Sequence, residues 1–340
     1  MPTWNAATRR DVLKLTTLGG VVFASSLLRS TAGCSSDKSA VMGAAGPKPG
    51  TPRGAQQEFF FLQLSDPHWG FTGPQVNPEP TLELPAAIAA VNAIANKPDF
   101  VIFTGDLTHT TDDVNVRKQR MTEFQSIVAG LNVPMVKFMA GEHDAAADGG
   151  VTFKQFFGDT YYSFDHKGVH FIALDNVSDP TSNLGMTQLD WLKSDLAPLD
   201  IEAPIVVFSH RPLWALRADW DWTTPDGQQA IDQLSAFHNV TVFFGHIHQE
   251  LVYMTGHIAH HAARSLMFAL PSPDSDASKP NPVPWDPEHP NANLGFRSID
   301  AATNPGDYQV TEMPLPAPTP GDAGAQGGGE GGQGSADGQG

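Results

Sequence analysis

Five short apolar runs in this 340-residue chain each end in side chains able to do acid–base or metal chemistry. "FFFLQLSDPH" delivers Asp66 and His68, and "PDFVIFTGDLTH" delivers Asp106 and His109. "VPMVKFMAGEHD" ends in the triplet Glu142, His143 and Asp144. "PIVVFSHRP" ends at His210 with Arg211 beside it, and "VTVFFGHIHQE" at His246 and His248. A single histidine after a strand is most often a satisfied structural residue. Five strand ends that each carry Asp, Glu or His need another account, because such groups in a dry cleft are costly unless paired or coordinated. Imidazoles and carboxylates gathered on one edge suit borderline and hard metals such as zinc, manganese and iron.

The elements that must position these groups are legible in outline. Near-continuous apolar strands alternate with helical patterns over residues 84–97, 117–131, 187–196 and 227–238. That alternation indicates a sheet covered on both faces, the α/β class. "YYSFDHKGVHFIALD" reads as a hairpin turning at Lys167 and Gly168, so the sheets are mixed rather than purely parallel. In open α/β sheets ligands bind beyond the strand C-termini, where all five clusters fall. Glycines at 105, 141 and 245 allow the backbone to turn sharply there.

The order "DPH", "GD", "GEHD", a lone His after an apolar strand, then "GHIH" resembles the calcineurin-like metallophosphoesterase family, over about residues 58–270. The resemblance implies a four-layer sandwich, two mixed β-sheets face to face with helices outside. It also implies a site for two metal ions roughly 3.5 Å apart. Asp66, His68 and His248 would hold one ion, Asp106 would bridge, and His210, His246 and Glu142 would hold the second. His143 would act at the leaving or phosphoryl oxygen as general acid or stabiliser, oriented by Asp144. Two cations would lower the pKa of a water and clamp the phosphoryl oxygens during in-line attack. The ions expected are iron, manganese or zinc, with iron and manganese favoured.

The family pattern has Asn where this chain has Glu142. Three carboxylates against two divalent ions leave a net charge of about +1, where the two-carboxylate site keeps about +2. Glu142 is therefore expected to favour either a trivalent iron in the second position or a less charged substrate, a monoanionic diester over a dianionic monoester. His109 stands where the purple acid phosphatase branch has a metal-binding Tyr, and it either ligates the first ion or lines the pocket. Arg211, Trp214, Arg217, Trp220 and Trp222 follow His210 closely and form either a substrate wall or a self-packed loop. His257, His260 and His261 offer further substrate or metal contacts, set against the commoner outcome of exposed imidazoles on a hairpin.

Lysine plus arginine number 20 against 37 acidic residues, a formal net charge of -17, which argues against a nucleic-acid partner and leaves a small phosphorylated substrate. "TRRDVLK" and the following apolar run, Leu15 to Leu28, resemble a twin-arginine export signal, which implies the twin-arginine machinery as partner and a cell-envelope location. "STAGC" resembles a lipobox, with Cys34, the only cysteine, as a candidate lipid anchor. The organisation expected is an export signal over 1–34, a flexible tether over 35–57, a catalytic domain over 58–315 and a disordered tail over 316–340. The function expected is an exported dinuclear phosphoesterase acting on a small phosphodiester or organic phosphate. A monoesterase resembling purple acid phosphatases and a non-catalytic metal-binding surface protein remain open at this stage.

Overall fold

The computed structural model describes residues 56–317. The segment expected to be an export signal (1–34), nearly all of the expected tether (35–57) and the residues beyond 317 lie outside the described residues. Within them are eleven strands in two sheets. The first sheet runs β11-β10-β1-β2-β3, from β1 (Phe59–Leu64), β2 (Phe100–Thr104), β3 (Val136–Met139), β10 (Gly295–Ala301) and β11 (Tyr308–Pro314). The second runs β4-β5-β6-β7-β9-β8, from β4 (Tyr162–His166), β5 (Val169–Ala173), β6 (Pro204–Ser209), β7 (Asn239–Phe244), β8 (Leu251–Thr255) and β9 (Ile258–Ala262). Strands β1, β2 and β3 are parallel, as are β5, β6, β7 and β9, while the outer pairs are antiparallel. Both sheets are mixed, as expected.

Alternation within each strand builds the layers. Phe59 and Phe61 of β1 point between the sheets with Phe100, Phe171, Phe208 and Phe243. Leu62 and Leu64 point the other way, onto α1 (Pro80–Ala93) and α2 (Val114–Val128). In the second sheet Val206 and Phe208 join the central layer, and Ile205 and Val207 face α5 (Gly185–Leu196) and α6 (Gly227–Leu234). The sequence is therefore helix, sheet, sheet, helix. The central layer is largely aromatic: Phe61 stacks on Phe100 at 4.7 Å between centroids, and Phe171 meets both edge-on at 5.7 and 5.2 Å. Such pairs contribute about 1 kcal/mol beyond area burial.

Several boundaries differ from the sequence reading. Helix α1 starts a turn earlier, because Pro80 presets φ at its first turn, and Pro85 is carried inside it. Strand β3 is shorter than residues 133–139, since it begins after Pro134. Two short helices, α3 (Glu142–Ala145) and α4 (Val151–Phe157), and the antiparallel pair β10–β11 were not foreseen. Gln56, read as part of the tether, is buried, and its side chain donates to the Ala302 carbonyl. The Pro-rich residues 271–290 lie as a strap over the domain, with Val283 N donating to Ala269 O and Trp285 N to Gln75 O.

Glu83, on the first turn of α1, is only 2% exposed and accepts bonds from Asn77 and Asn291 at 3.2 and 3.3 Å. Burial pushes its pKa from 4.5 up to about 7. Between those values the folded chain holds a proton that the unfolded chain has lost, so stability falls as pH rises through the interval. Glu83→Gln should remove that loss, stabilising the protein by roughly 2 kcal/mol at pH 8 and far less at pH 4.5. Thermal melts of both proteins at the two pH values check this; an identical shift at both would contradict it.

Candidate metal centre

The parallel strands bring their C-terminal ends to one edge, and the residues just past those ends adopt unusual backbone geometry. Asp66, His68, Asp106, His246 and His248 have φ of 52°, 42°, 47°, 63° and 52°. Left-handed conformations cost non-glycine residues free energy, and they persist only where surrounding contacts enforce them. Here they turn successive polar side chains inward instead of continuing each strand. Close approach needs glycine at two of the turns. A Cβ at Gly141 would collide with the Asp106 carboxylate, and one at Gly245 with Ser65 and Asp66.

Asp106 is the hub. Its Oδ2 lies 3.6 Å from His68 Nε2, 3.5 Å from His210 Nε2 and 3.9 Å from His143 Nε2. On one side, His248 Nε2 is 3.2 Å from Asp66 Oδ1 and 3.3 Å from His68 Nε2. On the other, the carboxylate of Glu142 stands 2.8 Å from both His210 Nε2 and His246 Nδ1. Two ligand groups thus flank one carboxylate, Asp66, His68 and His248 against Glu142, His210 and His246.

The ring nitrogens fit this role. His210 Nδ1 donates to the Thr104 carbonyl at 2.8 Å and His248 Nδ1 to the Phe268 carbonyl at 2.7 Å. Each bond fixes the tautomer and leaves the Nε2 lone pair facing the centre. His210 Nε2, both nitrogens of His246 and Glu142 Oε2 are buried without hydrogen-bond geometry to any partner. Unpaired lone pairs converging in a buried pocket are what a metal site requires, so the residues present fit two ions.

The electrostatics agree except at His210, where burial opposes the charge but Asp106 and Glu142 raise the pKa well above the usual imidazole value, so a cation there would displace a proton. Burial opposes ionisation of Asp66, yet His248 and His210 hold its pKa below the ordinary value. Burial likewise opposes the charge on Glu142, and His246 and His210 outweigh it. Burial keeps His68 neutral, well below the usual imidazole value, in spite of Asp106. Neutral imidazoles and ionised carboxylates are the ligating forms.

His143 is held differently from the expectation. Asp144 makes no bond to it: both Asp144 oxygens accept from Leu107 N, Thr108 N, Thr108 Oγ1 and Gly141 N at 2.9 to 3.0 Å. Asp144 therefore braces the turn after β2 against the turn after β3. The amide of Thr110 orients His143 by donating to its Nδ1 at 3.1 Å, which places the ring proton on Nε2, toward the centre. His109 Nδ1 lies 3.4 Å from His68 Nδ1, so it backs a metal-facing imidazole. Burial beside His143 lowers its pKa to about 4.

A cavity of about 310 Å³ opens over the centre, walled by Phe71, Trp220, Trp222 and Phe268, with Pro280 and Pro282 of the strap. Arg211 lines it too. Trp214 does not, since it packs on Tyr253 and His260 at 4.6 and 4.5 Å. Arg217 acts through the strap: its guanidinium donates to the carbonyls of Pro273, Ser275 and Ala277 and sits 3.8 Å over Trp220. The proposed wall thus divides into lining residues and a clamp behind them. His257 is a correction. It precedes β9, whose Ala259 pairs with Thr241 and whose Ala262 pairs with Phe244, so parallel running places His257 at the end of the sheet away from the site. Its ring bonds the Phe237 carbonyl at 2.7 Å.

Asp144→Asn would present an amide NH₂ to backbone N–H donors that now meet a carboxylate. The variant should lose about 3 kcal/mol of stability and bind metal more weakly, as the turn bearing Asp106 loosens. Urea unfolding together with metal content measures both; a stable variant with full metal content would refute the bracing role.

Residues 61–250 match the calcineurin-like phosphoesterase family model. The rat serine/threonine-protein phosphatase CPPED1 is 27% identical over 219 residues, which cover 56% of this chain and 70% of the relative. A probable cyclic nucleotide phosphodiesterase of Rhodopseudomonas palustris is 25% identical over 232 residues, 61% of this chain and 77% of that protein. Among solved structures, a dimetal phosphatase from Danio rerio superposes with a TM-score of 0.51 at 13% identity, covering 75% of this chain and 98% of that one. The yellow lupin purple acid phosphatase PPD1 gives 0.52 at 14% identity, over 78% and 52%. These two likenesses are of fold. The family uses a dinuclear metal centre, and the strand-end cluster supplies candidate ligand groups for one. The chain belongs to the calcineurin-like phosphoesterase family, as a metal-dependent phosphoric ester hydrolase.

Proposed function

We propose that this protein is an exported enzyme hydrolysing a small organic phosphate, with a monoanionic phosphodiester preferred over a dianionic monoester. The observation that carries the reading is the convergence of unpaired imidazole nitrogens on three buried or half-buried carboxylates, Asp66, Asp106 and Glu142, at the floor of an aromatic-walled cavity. Asp66, His68 and His248 would hold one ion, Glu142, His210 and His246 the other, and Asp106 both. When bound, two such ions supply positive charge to the phosphoryl oxygens and lower the pKa of an attacking water. His143 Nε2–H, aimed at the centre and held by Thr110, donates to the oxygen on which charge develops. The cavity suits a small ester, and its aromatic faces suit a flat or apolar leaving group. A relative named as a cyclic nucleotide phosphodiesterase supports the diester preference.

The third carboxylate is the source of that preference. Bis(p-nitrophenyl) phosphate should be turned over faster than p-nitrophenyl phosphate, and Glu142→Asn should narrow the gap or change which of manganese, iron and zinc supports activity. A ratio and a metal preference both unmoved by Glu142→Asn would defeat the charge argument. His143→Ala should lower kcat on the diester by about 100-fold or more while the ions stay bound.

Export rests on Arg9, Arg10 and the apolar run after them, and anchoring on Cys34. Among the described residues no helix is long and apolar enough to cross a membrane. Replacing both arginines by lysine should leave the chain in the cytoplasmic fraction, and Cys34→Ala should abolish lipid labelling. An unchanged fractionation or an unlabelled parent chain would remove the corresponding proposal.

A further inference from the structure

Arg211 sits in the cavity wall beside the carboxylate that sets this site apart. The residue is 7% exposed, and its Nε lies 3.9 Å from Glu142 Oε2. Two exposed-side contacts fix the fork: Nη1 donates to Ser182 Oγ at 2.8 Å and Nη2 to Asp221 Oδ2 at 2.9 Å. Ser182 and Asp221 both adopt left-handed backbone conformations, with φ of 59° and 60°. The backbone is pinned as well, because Arg211 N donates to Asn176 Oδ1, and its carbonyl accepts from Asn176 Nδ2 and Ser209 Oγ. Every anchor pulls on the outer nitrogens or the main chain. Nε–H, on the side of Glu142, is buried without a hydrogen-bond partner.

A guanidinium fixed this firmly, with one unsatisfied donor at the cavity, costs free energy unless something anionic completes it. Glu142 brings a third carboxylate to the floor and, being acceptor-only, offers the substrate no hydrogen. Arg211 supplies both missing features, a compensating positive charge and a donor. We propose that Arg211 is a specificity-determining residue whose Nε–H holds a non-bridging oxygen of the substrate's phosphoryl group and whose charge offsets Glu142. This rests on the phosphoesterase reading and sharpens it. Ser182 and Asp221 each take one N–H of an outer nitrogen and so fix the guanidinium plane, which leaves the buried Nε–H as the donor offered to the substrate. The single compensating charge matches a phosphodiester monoanion better than a monoester dianion.

The test uses the full chain loaded with manganese and inorganic phosphate as the probe, followed by calorimetry. Arg211→Met should weaken phosphate binding by roughly 10- to 100-fold with metal content unchanged, and should raise KM for bis(p-nitrophenyl) phosphate by more than it lowers kcat. Ser182→Ala, which removes the neutral acceptor that holds Nη1 and leaves the charges of the cavity unchanged, should give a smaller loss in the same direction and guards against a misfolded Arg211 variant. Phosphate binding equal to that of the parent chain in both variants would overturn the proposal. So would loss of metal from Arg211→Met, which would make Arg211 a support for Glu142, or a metal-loaded parent chain that binds no phosphate. A parent chain that binds phosphate through Arg211 but hydrolyses neither ester counts against the proposed function alone.

Discussion

Three carboxylates and four imidazoles crowded into overlapping groups whose ligand atoms lie within 4.8 Å of one another, most of them fully buried, are the constraint on which the rest of this molecule turns. Anionic and neutral acceptors facing one another in a dry pocket repel or leave lone pairs unsatisfied, and such an arrangement is stable only if cations complete it. The scaffold accordingly spends its rigidity holding the groups in place. Carbonyls of Thr104 and Phe268 set two tautomers, backbone amides brace Asp144, and five left-handed residues turn the strand ends inward.

The layers outside the site serve the same end. Parallel order within each sheet makes the C-terminal edges coincide, and the aromatic layer between the sheets locks one edge against the other. Rings packed edge to face leave little room for sliding, so Asp66 and Asp106 from one sheet meet His210 and His246 from the other at fixed separations. The cavity walls sit above this floor. Arg217 gathers three carbonyls of the strap and covers Trp220, so a single guanidinium positions two walls of the cavity.

Much of this was legible in the residues alone, for a physical reason. Each ligand cluster is contiguous in sequence with the strand that delivers it, so an apolar run ending in Asp or His exposes both element and chemistry together. What stayed hidden depends on contacts distant in sequence. The bracing role of Asp144 is set by amides some 36 residues away, and nothing in "GEHD" distinguishes it from a partner of His143. His257 looked close to the last ligand block, but strand direction carries it to the far end of the sheet. Strand β10 escaped notice because it carries a buried Arg297, tolerated through its pairing with Glu312 of β11 and its bond to the Ala262 carbonyl. The left-handed φ values at non-glycine residues leave no mark on composition at all.

The central claim is that these side chains exist to hold a pair of cations. Calorimetric titration of the metal-free chain with manganese, repeated on Asp106→Asn, addresses it most directly. The account expects two tightly bound ions per chain, and a single substitution at the shared carboxylate that weakens both together. Fewer than one tightly bound ion per chain, or a pair of sites indifferent to Asp106, would contradict it.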